Sequence, residues 1–570
     1  MCDTQPLAAR GDLPDTLDLS PWSVLRGAPL PARPYPTVLD ALRQRATSAA
    51  DALLVGFLGD QETPLTLSCG AAWTAAQSVA SGLMARGLRP GDAVLIMTGE
   101  GRDFVAALFG VWAAGGVAVP YPPPFLARGE DMGQIMPLLG ALLADCGARW
   151  AISDAALAES LVPHLAAIGV EACSVAALGA APLAPLPAVA PDAVALLQYT
   201  SGPSLAPRGV VLRHDALMAN VLGIGQALDL GPEDLGVTWL PLFQDMALVG
   251  VLLVSLVWGF PSYFMRPEAF LLRPLRWLKA IAELGATLSA APSFAYRLCA
   301  RRIKPAQAAA LDLSRWRVTL NGAEAIDVAA ARDFEALFAG AGLRPGTVVA
   351  AYGLAENALA VSAGPIGEPL AALEHAPDQG LTAWLGAPIP GQCVAITAAD
   401  GTLLPRGQEG EIRLRSASLM AGYHGKRADT AAVLVDGWLR TGDLGVMDEG
   451  RLAITGRCKD LIIKRGRNYY PEDVEHTVAQ VLDLPPAAVV AFAIPNPEAG
   501  TEDLVVLVEA VTAVPEANKA IDTALLALLG IRVEHLRWVL PGSIVCDPSG
   551  RTLRGATRTA WLAEQLPPAQ

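Results

Sequence analysis

Residues 197 to 214 read Leu-Gln-Tyr-Thr-Ser-Gly-Pro-Ser-Leu-Ala-Pro-Arg-Gly-Val-Val-Leu-Arg-His, and the residue types are those of an anion-holding turn. The apolar run Val194 to Leu197 predicts a buried strand that empties into Thr200, Ser201, Gly202, Pro203 and Ser204. Hydroxyls and backbone N–H groups at a strand end can donate to phosphate oxygens, and Arg208 adds a compensating charge. The spacing is not that of a nucleoside-triphosphatase loop, G-x-x-x-x-G-K-[ST]. Taken alone, the stretch reads as a strand-connecting loop, so its chemistry depends on what the rest of the chain brings to it.

Four further stretches carry groups that could join it. They are Trp239-Leu-Pro-Leu-Phe-Gln244-Asp-Met, Asn321-Gly322-Ala323-Glu, Tyr352-Gly353-Leu354-Ala-Glu356 and Trp438-Leu-Arg-Thr-Gly-Asp443-Leu-Gly, with Gly456-Arg457-Cys-Lys459-Asp460 following. Read singly, Glu356 is an acid after a turn, Tyr352 a core tyrosine, Asp443 ordinary turn chemistry and Lys459 a solvated cation.

The elements that must position these groups alternate. Thr37 to Ser48, Ala72 to Arg86 and Arg102 to Ala114 are helical by pattern, and Ala93 to Met97 and Gly116 to Pro120 are short strands, which is the rhythm of βαβ units. Candidate strands Val237 to Leu240, Thr287 to Ala291, Trp316 to Asn321 and Thr347 to Tyr352 each end in a polar or glycine turn, and open α/β sheets place ligands at such ends. After about residue 380 short alternating strands appear (Val394 to Ile396, Gly410 to Arg415, Arg451 to Ile454). Beyond a basic turn, Pro471 to Leu482 and Ala517 to Leu529 are expected to be helices and Ala487 to Ile494 and Leu504 to Ala510 strands. The expectation is an α/β protein in two parts. A large N-terminal domain, 1–458, has mixed sheets, flanking helices and a β-rich subdomain at about 380–455. A small mobile α+β domain, 459–570, follows.

Composition narrows the function classes. With 570 residues the chain exceeds one typical core. Its 52% hydrophobic and 17% charged residues exclude disorder. A net charge of -14 argues against nucleic-acid binding. The eight cysteines are scattered, without Cys-x-x-Cys or neighbouring histidines, and read as reduced thiols of a cytoplasmic protein. Residues 1–21 lack the basic and apolar regions of a signal peptide. Met246 to Met265 carries no charge and approaches membrane-spanning length, but Gly259 and Pro261 interrupt it, so Met246 to Trp258 is expected to be a buried helix and no transmembrane segment is expected.

In order and spacing the motif set resembles the adenylate-forming enzymes (acyl-CoA synthetases, nonribosomal adenylation domains, luciferases) over residues 36–560. Within them it is most similar to fatty acyl-AMP ligases, through Val119-Pro-Tyr-Pro-Pro-Pro, Gln198-Tyr-Thr-Ser-Gly, Ala291-Pro-Ser-Phe-Ala-Tyr, Asn321-Gly-Ala-Glu, Tyr352-Gly-Leu-Ala-Glu and Asp460-Leu-Ile-Ile-Lys-Arg-Gly-Arg-Asn-Tyr-Tyr-Pro-Glu-Asp. The resemblance implies that ATP and a fatty acid give acyl-AMP, and that the acyl group passes to the phosphopantetheine thiol of an acyl carrier protein, in polyketide or lipopeptide biosynthesis. It implies that Thr200, Ser201, Gly202, Ser204 and Arg208 hold phosphates and that Glu356 helps bind Mg²⁺. Tyr352, with Gly353 and Leu354, would lie on adenine beside Asn321, Gly322 and Ala323. Asp443 would accept from the ribose hydroxyls, Arg457 would donate to the nucleotide, Lys459 would be the hinge, and Met246 to Trp258 with Phe243 and Phe260 would wall an acyl tunnel.

Four departures bear on activity. Pro203 removes an N–H from the phosphate loop. Gln244 replaces a histidine and does not titrate near neutrality. Arg551 stands where a catalytic lysine is expected, and its planar fork is not a lysine substitute, although six lysines against 36 arginines show a chain-wide bias. The segment Leu359 to Leu385 is shorter than the one linked to rejection of coenzyme A. Two other readings therefore stand beside the ligase: a homologue that no longer adenylates and binds or acts on carrier-bound chains, and an acyl-CoA synthetase.

Overall fold

Short runs of β-branched and apolar residues form the strands of two large sheets, and the longer apolar stretches between them form the covering helices. The computed structural model describes the chain except residues 1–20, 60–62, 124–131, 200–206, 375–380, 458–460, 486–487, 546–551 and 570. Thr200, Ser201, Gly202, Pro203, Ser204, Lys459 and Arg551 lie outside the described residues, as does the side chain of Arg457.

Among the described residues, the chain separates into two units, the first made of 21–123, 143–199 and 208–456 and the second of 132–142, 207 and the chain from Arg457 onward. The first unit holds three main sheets. One orders its strands Ala387–Pro388, Ala360–Ala363, Val348–Gly353, Val318–Asn321, Leu288–Ala291, Gly236–Thr238, Ser262–Met265, Leu53–Leu58 and Leu65–Ser68, parallel through the middle and antiparallel at the edges. A second orders Gly422–Tyr423, Gly209–Arg213, Val194–Tyr199, Val117–Pro120, Ala93–Met97, Trp150–Ser153 and Glu171–Ser174. Its five last strands run parallel and the first two antiparallel. The third is antiparallel and built mainly from Gln392–Thr397, Gly410–Ser416, Trp438–Asp448 and Arg451–Arg457, with Val24–Arg26 at its edge. The second unit packs helices Pro471–Leu482, Asn518–Leu529 and Arg554–Leu562 with the sheet Val489–Asn496, Thr501–Glu509 and His535–Val539.

Local chemistry explains the helix starts. Thr37 caps helix Val38–Ser48 through its Oγ1, which accepts the Asp40 N–H at 3.1 Å, while the Asp40 carboxylate accepts the Thr37 N–H at 3.2 Å. This reciprocal cap contributes about 1 kcal/mol. An aromatic cluster packs beside the first sheet: Trp239 stacks on Phe270 at 4.1 Å between ring centroids, and Trp277 meets Trp316 edge-on at 5.5 Å.

The uncharged run is buried, as its composition predicts, and it divides at the expected interruption into helix ending at Trp258 and strand Ser262–Met265. Its winding differs from the expectation. Asp245–Ala247 and Val254–Trp258 are α-helical, and Leu248–Leu253 between them is a π-helix. Gly250 lies in this turn, where a Cβ would come within 2.8 Å of Leu359 Cδ2. Close approach of a neighbouring segment, which periodicity does not report, accompanies the wider winding. Among the described residues no helix is long and apolar enough to cross a membrane.

Candidate active site

Asn321 ends the strand Val318–Asn321 and pairs with Ala350 of the parallel strand Val348–Gly353, so Asn321, Gly322 and Tyr352 meet at the carboxyl edge of the first sheet. Asn321 is fully buried. Its Nδ2 donates to Ser293 Oγ at 3.2 Å, and its Oδ1 has no hydrogen-bond partner. An unpaired buried acceptor costs about 1–3 kcal/mol. Gly322 runs tight against the next strand, since a Cβ there would sit 3.0 Å from the Ala351 carbonyl oxygen. Ala323 takes φ +67°, a left-handed conformation uncommon for a residue with a side chain. The turn it makes precedes Glu324, whose carboxylate accepts the Phe294 N–H at 2.8 Å.

Tyr352 donates its hydroxyl proton to Asp443 Oδ2 at 2.6 Å, and both residues are buried. This bond joins the parallel sheet to the antiparallel strand Trp438–Asp448. Asp443 N–H is in turn held by Thr441 Oγ1 at 3.1 Å.

Gly353 and Leu354 open the turn that carries Glu356. A Cβ on Gly353 would fall 2.3 Å from the Leu359 carbonyl oxygen, so only glycine fits, and the Leu354 N–H donates to that same oxygen at 2.8 Å. Glu356 lies in the short helical turn Ala355–Asn357. Its Oε1 accepts the Tyr423 hydroxyl at 2.8 Å and its carbonyl accepts the Met420 N–H at 2.8 Å.

Gln244 caps the helix that begins at Asp245 through its backbone, its carbonyl accepting from Leu248 N–H at 2.9 Å, without a side-chain cap bond. Its neighbour Asp245 was not singled out in the sequence. Burial pushes the Asp245 carboxyl up to about 6, and the nearby Glu356 charge adds to the rise. Gln198, also not singled out, is buried and donates from Nε2 to the Phe243 carbonyl at 3.1 Å, so it ties the strand leading to residue 200 to the segment before Gln244. The signal for both was present, since each falls inside a motif stretch. Tyr423 had no such signal.

Arg208 Nε lies 3.8 Å from Asp429 Oδ2, with both side chains more than a third exposed, a contact of little energetic weight. One strand end is anchored more firmly. Tyr199, the last described residue before the hydroxyl-rich turn, donates to Asp145 Oδ2 at 2.7 Å, and Lys426 Nζ approaches Asp145 Oδ1 at 3.7 Å. Burial and that carboxylate push the Tyr199 phenol well above its ordinary value, so it remains a donor. Arg457 ends the strand Arg451–Arg457.

Residues 42–424 match the family of AMP-binding enzymes. An acyl-CoA synthetase-like protein of Caulobacter vibrioides is 34% identical, over 93% of this chain and 96% of its own length. The medium-chain-fatty-acid–[acyl-carrier-protein] ligase JamA of Moorena producens is 35% identical, over 68% of this chain and 71% of its own. Among solved structures, the fatty acyl-adenylate ligase of Legionella pneumophila in complex with acyl adenylate and pyrophosphate superposes with a TM-score of 0.73 at 27% identity, over 94% of this chain and 97% of that one. The chain therefore belongs to the AMP-binding, adenylate-forming enzymes, and within them is fatty acyl-AMP ligase-like.

Proposed function

We propose that this protein activates a fatty or related carboxylic acid with ATP to an acyl adenylate and passes the acyl group to the phosphopantetheine thiol of an acyl carrier protein, in the cytoplasm. The observation that carries the reading is the buried Tyr352–Asp443 bond beside the unpaired oxygen of Asn321 at one sheet edge. Asn321 Oδ1 suits the exocyclic amino group of a purine, Tyr352 its ring, and the Asp443 carboxylate, an acceptor, the hydroxyls of a ribose.

The residues also fit Mg²⁺, because Glu356 is a hard oxygen donor held at a turn by Tyr423. When bound, Mg²⁺ supplies charge neutralisation at the phosphates. In the first step a carboxylate oxygen attacks the α-phosphorus, a new P–O bond forms, and the bond to the bridging oxygen breaks with departure of pyrophosphate. In the second the carrier thiolate attacks the acyl carbonyl and AMP leaves with the electron pair. The protein's part is positioning and charge compensation. Thr200, Ser201, Gly202, Ser204 and Arg208 hold the phosphates, and Arg457 and Arg551 supply cations. The wide-wound helix after Asp245, with Phe243 and Phe260, lines the acyl chain, and Lys459 is the hinge. Support for the carrier as acceptor comes from the likeness to JamA.

The test is to incubate the protein with ATP, Mg²⁺ and fatty acids of varied length, to look for acyl-AMP by mass spectrometry, and then to offer holo-carrier protein or coenzyme A. Acyl-AMP that discharges onto the carrier is the expected result. No adenylate with any acid overturns the reading, and discharge onto coenzyme A replaces the carrier with the nucleotide thiol as acceptor.

A further inference from the structure

Two residues beyond Glu356 the backbone adopts a conformation that side chains rarely tolerate. Ala358 is fully buried with φ +60° and ψ −49°, and Leu359 N–H donates across it to the Asn357 carbonyl at 2.7 Å. This is a γ-turn of the rare, strained hand. Such strain costs about 1–3 kcal/mol and persists only where the surroundings over-determine it.

The surroundings here are polar and buried. Helix His214–Ala227 carries Asn220, which is fully buried. A buried amide is costly unless its hydrogen bonds are met. Asn220 meets them on the strained turn alone: Nδ2 donates to the carbonyls of Asn357 at 3.0 Å and Ala360 at 2.9 Å, and Oδ1 accepts the Ala360 N–H at 3.0 Å. Asn357 completes the frame from the other side. Its Nδ2 donates to Ala360 O at 2.8 Å and Gln392 Oε1 at 3.1 Å, and its Oδ1 accepts the Ser416 hydroxyl at 2.6 Å. Gln392 and Ser416 are paired residues of the antiparallel sheet. The network therefore fastens one turn to a helix and to a second sheet.

We propose that Asn220 and Asn357, with Gln392 and Ser416, are positioning residues that hold the strained turn so that the Glu356 carboxylate stands fixed at the metal–phosphate position. The proposal rests on the reading of Glu356 given above. A network whose only task was core stability has no need of strain beside a functional carboxylate, whereas one that presents a side chain at a fixed point does.

The full-length protein, its Asn220→Ala, Asn357→Ala, Ser416→Ala and Ser416→Thr variants, and Glu356→Ala as reference are compared in two assays. One is ATP–pyrophosphate exchange with a fatty acid at varied Mg²⁺; the other is calorimetric binding of ATP at varied Mg²⁺. In folded asparagine variants the Mg²⁺-dependent affinity for ATP is expected to fall about 10- to 100-fold, the scale of lost outer-shell support. Exchange kcat should fall in step and KM for the fatty acid change by less than about twofold. Ser416→Ala should show a smaller loss, and Ser416→Thr, which keeps the hydroxyl, should restore the parent behaviour. Folded asparagine variants with parental Mg²⁺ dependence in both assays overturn the proposal. If those variants fail to fold, an unaltered Mg²⁺ dependence in folded Ser416→Ala overturns it. A parent chain that exchanges with no acid counts against the ligase reading, and the binding assay still decides on the network.

Discussion

Asp245 shows how one desolvated carboxyl sets a pH response. Its carboxyl titrates near 6 in the folded protein against an ordinary value of 3.8, so between those values the native state binds the extra proton. Stability therefore falls as pH rises from about 4 to about 6 and stays lower above it. Asp245→Asn removes this desolvated charge and is expected to stabilise the protein at pH 7 by about 1–3 kcal/mol. Urea unfolding of parent and variant at pH 7 and pH 4 checks this, and the gap should close at the lower pH. His214 has the opposite sign. It is buried against Trp112 with ring centroids 5.3 Å apart, and burial pushes its imidazole down to about 4. The unfolded chain then binds more protons between about 6.5 and 4, and stability drops through that window as pH falls. In His214→Phe that part of the pH dependence, worth up to about 3 kcal/mol, should vanish from the unfolding profile.

At the level of elements, the turn between strands Val348–Gly353 and Ala360–Ala363 couples backbone fit to chemistry. Gly353→Ala would drive a Cβ into the Leu359 carbonyl. The cost should be about 1–3 kcal/mol, the range for overpacking. Because Glu356 rides on the same turn, nucleotide binding should weaken alongside, which thermal melts and ATP titration of the same sample would register together. A variant that melts earlier yet binds ATP as the parent does would separate the turn from the site. The π-helical turn Leu248–Leu253 belongs to the same neighbourhood, since Gly250 faces Leu359.

For the whole molecule, each of the two units has its own apolar core: the second is built around Ile462, Val474, Val506, Ile521 and Leu525. Its polar keystone is Glu475, buried and bound by Arg554 through two bonds of 2.9 and 2.8 Å, with the Ala491 N–H on the same carboxylate at 2.9 Å. Glu475→Ala leaves a largely buried guanidinium and an N–H unpaired and should cost about 3–5 kcal/mol. Differential scanning calorimetry should show the loss in the transition of the second unit, with the transition of the first unmoved. A uniform shift of the whole profile would mean that the two cores melt as one.

Amino-acid order alone determined the alternation of strands and helices, the change to short strands after residue 380, and the class of chemistry, because period, turn residues and ordered motifs are local properties. It placed Ala93–Met97 and Pro471–Leu482 to the residue. The π-winding, the strained turn at Ala358 and the raised carboxyl of Asp245 had no local signature. Each depends on what distant segments bring together: Leu359 against Gly250, Asn220 and Ser416 around Asn357, and the desolvation of Asp245, to which the Glu356 charge adds. The partners of Asn220 lie 137 and 140 residues away. Burial and hydrogen-bond pairing across such separations exist only once the chain has folded, and so the tertiary structure alone decided how the site residues are held.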